Sequence, residues 1–133
     1  MTDPNCLFCR IVSGEIPARI IHEAETTIAF LDINPWQVGH ALVIPRRHVA
    51  DVLTDDLVLA ELGPTVARVG RLLEEKLGAT ACNVLSNAGA DSGQEVFHAH
   101  VHVLPRYADR PGIANIRGPV AASLEDVHSR ILA

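Results

Sequence analysis

The sequence predicts a mixed fold class, one domain combining a sheet with helix, and three observations carry that reading. Five short runs rich in Ile, Val, Leu, Thr and Ala lie between clusters of turn residues, which is the signature of strands. One longer stretch, 55–77, sets Leu62, Val66, Val69, Leu73 and Leu77 on a single helical face. The 133 residues are enough to bury roughly two thirds of the surface an unfolded chain exposes, as one domain requires. No internal repeat, low-complexity tract or second-domain boundary divides 1–133.

Taken in order, 6–12 carries Leu7, Phe8, Ile11 and Val12 at near-helical spacing before Ser13 and Gly14, which predicts one or two helical turns. The runs 19–22 and 26–31 are rich in Ile and Thr, and the short link at Glu23, Ala24 and Glu25 pairs them as a hairpin. Asp32, Ile33, Asn34 and Pro35 are turn chemistry. After Gly39, the run 41–44 stops at Pro45 and reads as a buried strand, with Arg46, Arg47 and His48 at its exit. The helix at 55–77 begins with Asp55 and Asp56 and ends with Lys76 and Gly78, matching the helix dipole. Pro64 lacks a backbone donor, which predicts a kink or break there, with Pro64 near the first turn of the longer piece. A fourth, interior strand is expected at 81–85, with Cys82 as a small core residue, and 87–93 is a polar loop. The last strand covers 96–104. In the tail, 107–133, Pro111, Gly112, Gly118 and Pro119 mark turns before a short amphipathic helix at 123–132.

Charge and composition narrow the function. The net charge is −5, Lys76 is the single lysine and no run of like charge occurs, so the chain has no basic footprint for nucleic acid. No apolar stretch approaches the ~20 residues of a membrane span, and Met1 to Asn5 lack a secretory pattern, so a cytoplasmic protein is expected. Partners are then small molecules or a second copy. Three cysteines, an odd number, argue against a disulfide framework and leave Cys6 and Cys9 as metal ligands or bystanders.

His98, His100 and His102 alternate with Ala99, Val101 and Val103. In extended chain that spacing puts three imidazoles on one face and three apolar side chains on the other. Such a row suits metal binding, phosphate contact, proton transfer or nucleophilic attack. The loop just upstream, from Ser86 to Gln94, has small residues that let backbone N–H groups approach an anion, and amides that donate, which favours phosphate.

The run 93–106, with His98-Ala99-His100-Val101-His102-Val103-Leu104 at its centre, resembles the signature of the histidine triad (HIT) family. The resemblance extends through Phe8 to Pro17, Ala29 to Pro35 and Gly39 to His48, covering roughly 5–107. It implies an α+β HIT fold with a five-stranded antiparallel sheet, one long and one short helix, and a homodimer in which the long helix and 81–85 face their copies. It also implies a nucleotide hydrolase or transferase acting at an α-phosphorus through a nucleotidyl-histidine. The substrate would be a purine nucleoside phosphoramidate, an adenylate or a dinucleoside polyphosphate. His100 matches the nucleophile, His102 the residue on phosphate oxygens or the bridging atom, and His40 an orienting histidine behind the triad. Asn87, Gly93 and Gln94 match the phosphate loop, and Asp32 the carboxylate that accepts both ribose hydroxyls. Phe8, Ile11, Phe30, Leu31 and Ile33 would line the base slot.

Some relatives of this kind hold a structural zinc, which here would use Cys6, Cys9, His48 and His98. Four protein ligands close the coordination shell, so no catalytic metal is required. One position departs from the family: Glu95 stands where Ser or Thr is usual. An inward, ionised carboxylate would repel phosphate, so Glu95 either faces solvent, the favoured expectation, or is protonated and serves as the acid. The same departure motivates an alternative, a non-catalytic, zinc-stabilised nucleotide binder or partner scaffold.

Overall fold

The structure, a computed structural model, describes residues 2–112 and 119–133; the turn signal at Gly118 falls outside them. Its elements are α1 (Leu7–Val12), β1 (Ile20–Glu23), β2 (Thr27–Leu31), β3 (Ala41–Pro45), α2 (Val58–Leu77), β4 (Ala81–Leu85), β5 (Val101–Arg106) and α3 (Leu124–Leu132). The five strands form one antiparallel sheet in the order β1-β2-β3-β5-β4, so β4, expected to be interior, is instead an edge strand paired only to β5, with Ala81 and Val84 exposed and Cys82 half-buried. This is the α+β arrangement that the resemblance implies, with a third helix, α3, at the carboxy-terminal end of the described residues.

Side-chain alternation divides the sheet into two faces. Ala29, Ala41, Val43, Val101 and Val103 join Val58, Leu62, Val69 and Leu73 of α2 in one core. Their neighbours Ile28, Phe30, Leu42 and Ile44 join Cys6, Phe8, Cys9 and Ile11 of the α1 segment in a second. The small residues on the α2 side let a twenty-residue helix lie close to the strands. One polar tie crosses that core, a 2.6 Å hydrogen bond between the Thr27 and Thr65 hydroxyls.

Local chemistry explains the ends of the helices. Asp55 Oδ1 accepts from the Leu57 and Val58 N–H groups at 2.8 and 3.2 Å, which holds the turn leading into Leu57, the N-cap residue, and the helix begins at Val58, three residues later than expected. Gly78 closes it in the left-handed conformation at φ +74. The break expected at Pro64 is absent, since α2 runs through it without interruption. Pro64 and Ala60, whose carbonyl loses its intrahelical donor, are both exposed, so water takes the place of that bond. Ser123 caps α3 through its hydroxyl, and no residue of α3 is buried.

The histidine segment needs a second correction. β5 starts at Val101, so His98 and His100 precede the strand and only His102 pairs within it, opposite Leu42 and Leu85. The chain before Val101 still alternates, because Ala99 reaches the α2 core while His98 and His100 turn toward Phe8. Side-chain bonds from His98 and His100 to backbone carbonyls replace the ladder there.

Candidate functional site

Four histidines gather on the α1 side of the sheet, and each is at least nine-tenths buried: His40, His98, His100 and His102. Their tautomers follow from backbone partners. A carbonyl only accepts, so the 2.7 Å bond between His100 Nδ1 and the His98 carbonyl puts the proton on Nδ1 and leaves a lone pair on Nε2. The Trp36 N–H donates to His40 Nδ1 at 3.1 Å, which puts the His40 proton on Nε2. That proton is donated to His102 Nδ1 at 2.8 Å, so His102 carries its own on Nε2. The imidazoles of His100 and His102, 5.1 Å apart, thus present opposite functions, a lone pair and an N–H donor.

Burial keeps these rings neutral. It pushes His102 down to about 4, helped by neighbouring His100 and His40. It also lowers His40 and His100, with the Asp32 carboxylate opposing in both cases. Asp32 Oδ2 lies 3.7 Å from His40 Nε2, too far for a hydrogen bond, and a neutral His40 makes no ion pair with it. Asp32, His40 and His102 are close enough to be considered as ligands for a metal. With the His40 proton held on Nε2 and donated to His102, however, that nitrogen has no lone pair to give, and the hydrogen bond joins His40 to His102 alone while Asp32 acts on them only through its charge.

Gly39 makes the approach to His40 possible. At φ +88 its conformation suits glycine, and a Cβ there would lie 2.6 Å from Leu77 Cδ1 and 3.2 Å from Pro105 Cγ. Trp36, which sequence alone did not place, stacks on His102 at 4.8 Å and 19° and tilts against His40. Its only signal in the sequence was position, four residues before His40.

Beside this centre, Cys6, Cys9, His48 and His98 form a second group, with ligand atoms all within 4.8 Å of one another. Cys6 Sγ and Cys9 Sγ lie 3.4 and 3.5 Å from His98 Nδ1, and Cys9 Sγ lies 3.4 Å from His48 Nδ1. Bonds of about 2.3 Å to sulfur and 2.0 Å to nitrogen at a tetrahedral angle separate S and N by roughly 3.5 Å, so the group fits a tetrahedral ion. His98 Nε2–H donates to the Pro45 carbonyl at 2.8 Å, which frees Nδ1 for the sulfurs and supplies the outer partner typical of a metal-binding histidine. The Asp3 and Cys9 N–H groups donate to Cys9 Sγ and Cys6 Sγ, as suits thiolates. Burial pushes the Cys6 thiol up and His98 down to about 4, so a cation in this group offsets the cost of ionising sulfur.

The remaining residues divide into floor, loop and rim. Phe8, Ile11 and Phe30 are buried in the α1 core, with Phe8 edge-on to His100 at 5.2 Å. Leu31 and Asp32 are half-buried, and Ile33 is 87% exposed. Asp32 Oδ1 accepts from the Asn34 N–H at 2.8 Å, forming the turn read from the sequence. In the loop, Gly93 backs onto Asn87, and the Ser86 hydroxyl donates to the His100 carbonyl at 2.6 Å. Gln94 is a brace. Its Nε2 donates to the Ala50 and Val96 carbonyls and its Oε1 accepts from the Gly89 N–H, so it shapes the loop with its whole amide. Glu95 is exposed and lines a cleft beside Cys6 and His48.

Comparison with known proteins shows the family and the fold. The family model described as the HIT domain matches residues 13–109. The crystal structure of a HIT family member from Bacillus subtilis superposes with a TM-score of 0.84 at 34% identity, covering 96% of this chain and 93% of that one. A zinc-bound histidine triad family protein from Mycobacterium smegmatis superposes with a TM-score of 0.75 at 40% identity, covering 78% and 76%. The adenylylsulfatase HINT3 of Arabidopsis thaliana is 35% identical over 103 residues, which are 77% of this chain and 52% of that protein.

Proposed function

Because the chain belongs to the HIT domain family, we propose that it is a hydrolase that cleaves a purine nucleotide at its α-phosphorus through a nucleotidyl-histidine. His100 Nε2 attacks phosphorus, the new N–P bond forms, and the bond to the leaving group breaks with its electron pair. The positive charge that develops on the imidazole is stabilised by the Nδ1–H bond to the His98 carbonyl. His102 Nε2–H donates a hydrogen bond to the departing atom or the phosphate oxygens, stabilising charge without giving up its proton. An oxyanion leaves as it is, and an amine takes its proton from solvent. Water then displaces His100 from phosphorus, loses a proton to solvent, and the nucleoside monophosphate departs. The observation that carries this reading is the pair of opposed tautomers at His100 and His102.

Asp32 is assigned the ribose hydroxyls, Asn87 and Gly93 the phosphate, with Gln94 bracing their loop. Phe8, Ile11, Phe30, Leu31 and Ile33 are assigned to the base. The adenylylsulfatase activity for which the Arabidopsis relative is named supports an adenylyl unit in the substrate. Phosphoramidates, adenylates and dinucleoside polyphosphates all offer the bond this centre attacks. Cys6, Cys9, His48 and His98 would hold a structural Zn²⁺, a choice supported by the zinc-bound mycobacterial protein. When bound, that ion clips the amino-terminal helix to the sheet and keeps no open position for substrate. A homodimer is supported by edge strand β4, whose Val84 is exposed, and by an apolar groove of about 360 Å³ between β4 and α2. No helix among the described residues is long and apolar enough to cross a membrane. A cytoplasmic location and a single domain over 1–133 complete the reading.

Incubation with adenosine phosphoramidate or adenylyl sulfate followed by an acid quench tests the enzyme. A nucleotidyl-protein adduct that disappears in His100→Ala is expected. No adduct and no turnover above His100→Ala, with nucleotide binding retained, would transfer the assignment to the non-catalytic binder.

A further inference from the structure

A cleft of about 470 Å³ opens beside the Cys/His group, and Cys6 and His48 form part of its wall. Cys9 and His98 are not on that wall, and His98 is fully buried, so the cleft is the side from which the group is approached. The other polar side chains lining it are Asp3, Asn5 and Glu95, with no Lys or Arg among them. Glu95 makes no ion pair among the described residues. Its neighbour Phe97 is half exposed and adds a low-dielectric wall.

We propose that Glu95, together with Asp3, forms the entrance through which a divalent cation reaches and leaves the Cys6, Cys9, His48 and His98 group, and that it sets the rate of metal exchange. This rests on the metal reading given above and adds a function for the carboxylate at position 95. A cleft lined by one sign of charge concentrates counter-ions and raises the rate of encounter. A hydrated cation sheds its waters stepwise, and a carboxylate oxygen at the entrance can replace one water before sulfur and imidazole replace the rest. The same oxygen assists departure, so uptake and release both accelerate and affinity stays where the four ligands set it. Outward-facing Glu95 therefore leaves the phosphate unopposed at His100 while serving the neighbouring centre.

Replacement of the resident metal by added Cd²⁺, followed through thiolate-to-cadmium absorbance, reads this rate directly on the purified protein. At low salt, Glu95→Gln is expected to slow exchange roughly two- to fivefold and Glu95→Lys to slow it further. Glu95→Asp should stay near the wild-type rate, as should Glu25→Gln on the β1–β2 turn. High salt should bring all rates together, and metal content at equilibrium should be equal in every variant. Wild-type exchange rates in both Glu95→Gln and Glu95→Lys at low salt overturn the proposal while leaving the metal site standing. A wild-type protein that takes up no cadmium and contains no metal overturns the metal reading and this one with it.

Discussion

On β2, β3 and β5, residues 29, 41, 43, 101 and 103 point toward α2, and residues 28, 30, 42, 44 and 102 point the other way. The first face is covered by a twenty-residue helix, the second by a six-residue one. A helix as short as α1 is not stable alone and brings little apolar area, so its face of the sheet is completed by cysteine and histidine side chains. Each buried polar side-chain atom among the described residues nevertheless has a partner. The α2 face holds the fold through apolar contact, whereas the α1 face exchanges some apolar cover for groups held in chosen protonation states. Variants on the two faces should therefore fail in different ways.

The largest separation is expected between His100→Ala and Leu62→Ala. Loss of the nucleophile should lower kcat by roughly a thousandfold or more, about 4 kcal/mol in barrier, with only a small change in the denaturation midpoint. Leu62 is fully buried on the sheet-facing side of α2, and its truncation should cost about 3 kcal/mol of stability in urea unfolding. The folded fraction of that variant should keep its kcat. A stable Leu62→Ala protein with collapsed kcat would mean that the faces are coupled.

Acid should act on the α1 face. His102 is held near 4, whereas an unfolded histidine titrates near 6.5. Between those values the unfolded chain binds a proton that the folded chain refuses, so stability is full above about pH 6.5, falls as pH drops toward 4, and levels below. The loss is on the order of 3 kcal/mol for His102, and the lowered values of His40 and His100 act in the same direction. Unfolding curves between pH 7 and 4 check the slope, and His102→Asn should flatten it. A slope of opposite sign would mean that His102 is charged in the folded protein.

How much of this was legible in the sequence differs between the same two faces. The α2 face was nearly all legible, because Leu62, Val69 and Leu73 follow a helical period and the strands are apolar runs bounded by Gly and Pro. Its misreadings were local. Asp55 belongs to the turn that leads into the helix, and Pro64 sits where solvent replaces the lost bond. On the α1 face the identity of the histidines was legible and their wiring was not. The alternation at 98–102 suggested one continuous strand, but bonds from His98 to the Pro45 carbonyl and from His100 to the His98 carbonyl hold that segment outside the ladder. No periodicity encodes a tautomer. The proton on His98 depends on the Pro45 carbonyl, that on His100 on the His98 carbonyl, and that on His102, through His40, on the Trp36 N–H, groups which only the folded chain brings together.

A smaller effect should separate the faces by their response to chelator. Cys9→Ser should lower stability by about 2 kcal/mol, and a strong chelator should lower wild-type stability by a similar amount while adding little to the variant. Leu62→Ala should respond to chelator as the wild type does, because its contacts lie across the sheet. Calorimetry with and without chelator, together with metal content, reads both. A wild-type protein indifferent to chelator would leave α1 held by Phe8, Ile11 and Phe30 alone.

The smallest effect concerns the outer side of α2. Pro64 is the seventh residue of the helix and exposed, so Pro64→Ala restores a donor to the Ala60 carbonyl and touches neither sheet face. In an isolated chain the result should be a gain of about 1 kcal/mol, part of the intrinsic helical gain being offset by the freer unfolded backbone. The denaturation midpoint measures it, and kcat should not move. Gly63, next along the helix, lines the apolar groove between α2 and β4, so the same substitution also probes the surface assigned to a second copy. A loss of stability at high protein concentration that shrinks and turns into the gain as the protein is diluted would show that the proline ring contributes to contact between copies. A concentration-independent gain would leave the outer side of α2 facing water at Pro64, with any dimer contact confined to the groove itself.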